Sequence, residues 1–154
     1  MAGTFSKIYI QYVFAVQGRM NLLHKPWRLE VFKYISGIIE GKGQKSIIVN
    51  GVEDHVHALV GINPVVNISE LVRDIKNNSS KFINKQKYFN GKFAWQSGYA
   101  VFSYSQSHVK KAYKYILDQE EHHRKRNFRE EYIDLLQRFE IPFDEKYLFQ
   151  EADS

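Results

Sequence analysis

The 154-residue chain contains no cysteine. That excludes a disulfide framework, a thiolate zinc site and a cysteine nucleophile, and it suits a reducing compartment. Long hydrophobic runs are also missing. The first apolar stretch, Ile8 to Val16, is too short to span a bilayer, is broken by Gln11, and lacks the layout of a secretory leader. A soluble, unexported, cytoplasmic protein with no membrane partner is expected. There is no internal repeat, no low-complexity tract and no long linker. A His-Glu-x-x-His stretch is absent as well, which argues against a helical zinc hydrolase.

What remains is an ordinary globular composition rich in rings, with ten Tyr and eleven Phe. The length fits one domain, 1–154, able to bury roughly two-thirds of its unfolded surface. The net charge of +5 is unevenly placed. From Asn127 onward three basic residues face eight acidic ones, so the last 28 residues carry −5 and residues 1–126 carry +10. A body that basic suits a polyanionic partner, nucleic acid above all. The acidic tail is expected at about 136–154, beyond a core at about 5–135.

Residues Ile8 to Val16 read as a first strand with Ile8, Ile10, Tyr12, Phe14 and Val16 on one face. Pro26 opens a helix whose apolar stripe is Trp27, Val31, Tyr34, Ile35 and Ile38, and Gly41 and Gly43 end it. Strands follow at 46–49 and 55–62, with Asn50-Gly51 as the turn between them. A second helix runs over about 68–86 with Ile68, Leu71, Val72, Ile75 and Phe82 inward. A fourth strand covers 99–104. Ser107 is placed to cap a third helix reaching about Arg124, and a short helix is expected near 129–138. The order β-α-β-β-α-β-α predicts an α+β fold of the ferredoxin-like, split βαβ type: an antiparallel sheet with two helices on one face. The third helix is then the element available to cover the other face.

In His55-Val56-His57-Ala58-Leu59-Val60, side chains alternate between faces. Val56, Ala58, Val60 and Ile62 make an apolar row, so His55 and His57 point together to the opposite side. Two imidazoles at i and i+2 of a strand can share one ion, but they do not complete a site. The third helix offers a further donor. At 100° per residue, Val109, Ala112, Tyr113, Ile116 and Leu117 form the packing arc, which makes Tyr113 a core residue. Lys111, Tyr115 and Gln119 form a separate i, i+4 row. A phenol is a weak nucleophile at its ordinary pKa of about 10 and needs activation, which a shared metal ion supplies. Gln119, by its carbonyl oxygen, is the candidate ligand that would fix Tyr115 against such an ion. His122 and His123 receive no ligand role.

Taken in order, His55-Val56-His57, the run Trp95-Gln-Ser-Gly-Tyr-Ala-Val-Phe-Ser-Tyr-Ser105, and Tyr115-Ile-Leu-Asp-Gln119-Glu-Glu-His-His123 resemble the single-tyrosine His-hydrophobic-His transposases of the smallest bacterial insertion sequences and their REP-associated relatives. Val72-Arg-Asp-Ile-Lys76-Asn-Asn-Ser-Ser80 resembles their second helix, and the similarity covers about residues 5 to 135. The resemblance implies that Tyr115 is the nucleophile and that His55, His57 and Gln119 hold a divalent ion, Mg²⁺ or Mn²⁺. It implies a bacterial enzyme that cuts and rejoins single-stranded DNA bearing terminal hairpins through a 5′-phosphotyrosine, with no nucleotide cofactor. It also implies a homodimer whose strands join into one sheet and in which the tyrosine helix of one subunit can complete the other's site.

Two other readings stay open at this stage. A ferredoxin-like sheet with exposed aromatics also serves non-catalytic nucleic-acid-binding modules, although no run of aromatics and glycine of the RNA-recognition type is present. A domesticated hairpin-DNA endonuclease would share the same chemistry. Candidate DNA contacts are Arg73, Lys76, Lys81 and Lys85 on the second helix and Lys110, Lys111 and Lys114 on the third, with Trp95 and Tyr104 as candidate stacking platforms.

Overall fold

The structure, a computed structural model, describes residues 3–148. Its sheet has four strands, β1 (Ile8–Ala15), β2 (Lys45–Gly51), β3 (His55–Ile62) and β4 (Ala100–Tyr104). They lie in the order β2-β3-β1-β4, every neighbouring pair antiparallel. Helices α1 (Lys25–Gly41) and α2 (Ile68–Gln86) connect β1 to β2 and β3 to β4. This is the split βαβ arrangement expected from the alternation of helical and strand periods.

Period-2 alternation sorts the two faces. Ile10, Tyr12, Phe14, Val56, Ala58 and Val60 turn toward α1 and α2 and share one core with Trp27, Val31, Ile35, Leu71, Val72 and Ile75. Pro26 sits in the first turn of α1, where its missing N–H costs nothing. Asn67 caps α2 by accepting the Glu70 N–H at 3.1 Å.

The opposite face carries Gln11, Val13 and Ala15 from β1 and His55, His57 and Leu59 from β3. In register, Ala15 lies opposite His55, Val13 opposite His57 and Gln11 opposite Leu59. Three further helices cover this face. α3 (Val109–Leu117) sets Ala112 and Ile116 on Leu59. α4 (Gln119–His123) follows directly. α5 (Phe128–Arg138) packs Phe128, Leu135 and Leu136 on Val13, Ala15, Ala100 and Phe102. Asn127 and Glu130 form a capping box that starts α5. The described part of the chain is therefore three layers deep, with the histidines in the covered layer.

Two sequence-based expectations need correction. The stretch 107–124 is not one helix. A 3₁₀ turn at Gln106–His108 leads into α3, and Asp118 (φ −92°, ψ 24°) breaks the helix before α4. Nor do Asn50 and Gly51 form the hairpin turn. They remain paired in β2, opposite His57 and Val56, and the chain turns at 52–54. Asn50 spends its amide on the Ile116 and Leu117 carbonyls (2.9 and 3.2 Å), holding the end of α3 to the sheet. Gly51 is required by space, because a Cβ there would collide with the His55 carbonyl oxygen. Glu151 and Asp153 of the expected acidic tail lie outside the described residues. Among the described residues, no helix is long and apolar enough to cross a membrane.

Candidate active site

His55 and His57 are both fully buried, and β3 aims them together into the layer between the sheet and α3–α5. Gln119, also fully buried, enters from the first residue of α4, with its Oε1 3.1 Å from His55 Nε2. Arg28 of α1 anchors this helix through Glu120 at 2.6 Å. The three expected ligands thus share one point, although their elements are far apart in sequence.

Tyr115 reaches the same point because the helix is rotated from the expected orientation. Tyr113 and Leu117 are 41 % and 54 % exposed, while Tyr115 is turned inward and its ring meets His57 edge-on at 6.0 Å. The inward arc is Val109, Ala112, Tyr115, Ile116 and Gln119, rotated by roughly 60–70° from the purely apolar stripe. The pocket it faces is polar, so a phenol and an amide occupy positions that a hydrophobic count gave to Tyr113 and Leu117. The His122 ring stacks on Tyr115 at 4.5 Å, and Arg126 Nη2 donates to the Tyr115 hydroxyl at 3.1 Å.

Sequence reasoning missed the residue at the centre. Glu131 of α5 is fully buried, with its Oε1 lying 3.1, 3.2 and 2.9 Å from the Nε2 atoms of His55, His57 and His123. Its Oε2 accepts from Gln119 Nε2 at 2.9 Å and from the Tyr115 hydroxyl. A signal was present. Phe128, Glu131 and Leu135 fall at i, i+3 and i+7, so a carboxylate stands in the inward stripe of an amphipathic helix. His123, given no role from sequence, is part of this cluster.

The electrostatics follow from burial and pairing. Burial pulls the Glu131 carboxyl upward, but the charge and hydrogen bonds of the surrounding histidines outweigh it and hold the group well below the usual carboxylate range. Burial would also lower His55. Its hydrogen bonds to Asp54 and Glu131, and their charges, prevail and push it up to about 9. His57 is lowered by burial despite the Glu131 charge, and the neighbouring His55 and His123 lower it further. Burial raises the Tyr115 phenol, Glu131 raises it further, and Arg126 pulls the other way.

The donor set fits a divalent ion. Ligand atoms of His55, His57 and Glu131 all lie within 4.8 Å of one another. Neighbouring ligands of an octahedral ion at roughly 2.1 Å lie roughly 3 Å apart, which matches the 3.1 Å from His55 Nε2 to Gln119 Oε1 and the 3.1 and 3.2 Å from Glu131 Oε1 to the two imidazoles. The His55 Nδ1 atom is held by Asp54 Oδ1 at 2.7 Å, which turns Nε2 inward as a metal-binding imidazole requires. Gln11 Nε2 lies 2.7 Å from His57 Nδ1, and Gln11 Oε1 accepts from the Tyr104 hydroxyl at 2.5 Å.

The expected DNA contacts fall in two layers. Lys110, Lys111 and Lys114 are exposed on α3, on the same side of the sheet as the site. Arg73, Lys81 and Lys85 are exposed on α2, on the far side. Lys76 is committed locally, donating to the Gln96 and Gly98 carbonyls at 2.7 and 2.8 Å. Trp95 is not an open platform. It is 8 % exposed, its Nε1 donates to Ser79 Oγ at 2.9 Å, and Phe14 and Phe93 meet it edge-on. Tyr104 is half-buried against Phe139.

No curated protein sequence matches the chain. Among solved structures, a Deinococcus radiodurans R1 protein provisionally assigned as a transposase superposes with a TM-score of 0.60 at 22 % identity, covering 77 % of this chain and 95 % of that one. The REP-associated tyrosine transposase bound to a REP hairpin superposes with a TM-score of 0.59 at 12 % identity, covering 80 % of this chain and 73 % of that one. Both show the fold. The family model described as "Transposase IS200 like" matches residues 4–119, from just before β1 through Tyr115 and Gln119, and by that match the chain belongs to the IS200-like transposase family.

Proposed function

We propose that this transposase cuts and rejoins single-stranded DNA through Tyr115, with His55, His57 and Gln119 holding Mg²⁺ or Mn²⁺. The observation that carries the reading is the convergence of Tyr115, Gln119 and the two histidines on one buried point shared with Glu131. When bound, a divalent ion neutralises the charge of the scissile phosphate's oxygens. The chain's own groups do the rest. The Tyr115 oxygen attacks phosphorus, the P–O3′ bond breaks, and the departing 3′-oxygen takes up a proton from solvent to become a hydroxyl. Glu131 Oε2 accepts the phenol's hydrogen bond and orients its oxygen, and the proton is lost to solvent as the bond to phosphorus forms. The Arg126 guanidinium, 3.1 Å from the phenol oxygen, favours the phenolate. The phosphotyrosine conserves the bond energy, so a 3′-hydroxyl can reverse the step with no nucleotide cofactor.

Binding through His57 Nε2 has one structural condition. Its Nδ1 must carry the proton, so the Gln11 amide must present Oε1 to Nδ1–H and give its Nε2 to the Tyr104 hydroxyl, a flip that keeps both hydrogen bonds.

The substrate is taken to be a strand with a hairpin near the cut, a reading supported by the hairpin complex of the structural neighbour. The whole chain is read as one transposase domain, acting as a homodimer in the bacterial cytoplasm by analogy with the family. Cleavage of hairpin-bearing single strands in Mn²⁺ or Mg²⁺ tests the metal half of the proposal. His55→Ala or His57→Ala is expected to abolish cleavage while hairpin binding persists. Undiminished cleavage by either variant would remove the metal assignment.

A further inference from the structure

A cavity of about 220 Å³ lies beside the candidate active site, between the start of β4, the end of β1 and α5. Phe128 separates the two. One side of its ring stacks on His55 at 4.0 Å, and the residue also lines the cavity. Tyr99 and Tyr132 supply further aromatic wall, and exposed Ser97, Gly98 and Tyr147 form the mouth. An apolar cavity of roughly 150 Å³ holds a benzene-sized ring, so this space suits one nucleobase rather than a whole nucleotide.

The wall also carries an unanswered polar group. Gln96 is 8 % exposed, and among the described residues its Oε1 has no hydrogen-bond partner. Among the same residues its Nε2 donates once, to the Leu148 carbonyl at 3.3 Å, which leaves a second hydrogen. A buried acceptor left empty is costly, and native structures fill such positions. The frame is rigid: the Gln96 N–H donates to the Ala15 carbonyl at 2.8 Å, and Lys76 ties the Gln96 and Gly98 carbonyls from behind.

We infer that this cavity takes one unstacked adenine of the DNA strand, its ring against the Tyr132, Tyr99 and Phe128 walls and its amino edge on the Gln96 amide. An amide with one acceptor and one donor complements the N6–H and N7 edge of adenine, which neither thymine nor cytosine presents. Stacking on aromatic side chains holds any base, and the amide selects among them. The inference rests on the single-stranded-DNA reading above. It adds a base preference close to the cleaved phosphate, because Phe128 both lines the cavity and stacks on His55.

Equilibrium binding separates the two ideas, measured by fluorescence anisotropy in EDTA so that no cleavage occurs. The strands are a twelve-residue oligothymidylate and the same strand with one central adenosine, cytidine or guanosine. The adenosine strand alone is expected to bind about five- to tenfold tighter than the parent, the lower end of a good bidentate contact. Replacing that adenine with 7-deazaadenine removes the N7 acceptor without touching the protein and should lose most of the gain. Gln96→Met should erase the preference while leaving the parent strand's affinity within about twofold. Equal binding of all four strands by the unaltered protein overturns the inference. So does a preference that survives Gln96→Met or 7-deazaadenine, or a Gln96→Met loss equal on every strand. Failure to bind any of the strands would overturn the single-stranded-DNA reading as well.

Discussion

Gln11 shows how much a residue outside the chemistry can decide. It is fully buried on β1, links the Tyr104 hydroxyl to His57, and by the orientation of its amide sets the tautomer of His57 across 2.7 Å. Outer-shell partners of metal-binding imidazoles are typically worth ~10–100-fold in metal affinity. Gln11→Leu keeps the shape and removes the bond, so Mn²⁺ affinity measured by calorimetry is expected to fall by about that factor. An unchanged affinity would show that the tautomer is set elsewhere. His55 makes a pH prediction. Its folded pKa of about 9 lies above the ordinary value of 6.5, so its stabilisation of the metal-free protein is fully present below about pH 6.5 and is lost as pH rises through about 9. His57 works from the other side. Its folded pKa is lowered, so protonation below about pH 6.5 favours the unfolded chain. The Tm in EDTA should therefore decline from pH 7 to 10. The added Tm from Mn²⁺ should grow over the same window, because the ion no longer competes with the His55 proton. A metal-induced shift that shrinks with rising pH would contradict this.

At the scale of elements, α3 and α5 matter because each brings one polar group, Tyr115 and Glu131, to the histidines of β3 on an otherwise apolar contact. Ile116 is fully buried against Leu59, one residue from Tyr115. Ile116→Ala removes that seat. A cost of about 2–5 kcal/mol is expected in chemical denaturation, with cleavage falling further than the unfolded fraction explains, because the phenol loses its fixed position. Cleavage loss matching the unfolded fraction would make α3 a passive support. Gly51→Ala tests the sheet side, since a Cβ there presses on the His55 carbonyl oxygen. The local shift should weaken Mn²⁺ binding as well as stability, and intact Mn²⁺ affinity would show that the strand end can yield without moving His55. These elements were unequally legible. β1, β3 and their partner helices follow from alternation, because Val56, Ala58 and Val60 leave the histidines one face. The break at Asp118 and the rotation of α3 were hidden, because a hydrophobic stripe ranks Tyr113 and Leu117 above Tyr115 and Gln119. Only the polar pocket across the sheet, assembled from distant segments, reverses that ranking. Glu131 was hidden for a related reason: a lone carboxylate on an amphipathic helix ordinarily faces water, and its partners come from three other elements.

Across the whole molecule, charge and layers divide the work. The sheet separates exposed Arg73, Lys81 and Lys85 on α2 from Lys110, Lys111 and Lys114 on α3, so these six cations do not make one patch with Tyr115. Each phosphate contact on a single strand contributes about 0.7 to the slope of log affinity against log salt. The triple variant Lys110→Ala, Lys111→Ala, Lys114→Ala should reduce that slope by about 2. The corresponding triple on α2 should change it less for a strand without a hairpin. Equal effects would place DNA across both layers. The central claim is that Tyr115, and not its exposed neighbour Tyr113, becomes joined to DNA. Its most direct measurement is recovery of a denaturant-stable protein–DNA adduct after incubation with hairpin-bearing single-stranded DNA and Mn²⁺. The adduct should form in the unaltered protein and in Tyr113→Phe and be absent in Tyr115→Phe, whereas an adduct that persists in Tyr115→Phe would contradict the account.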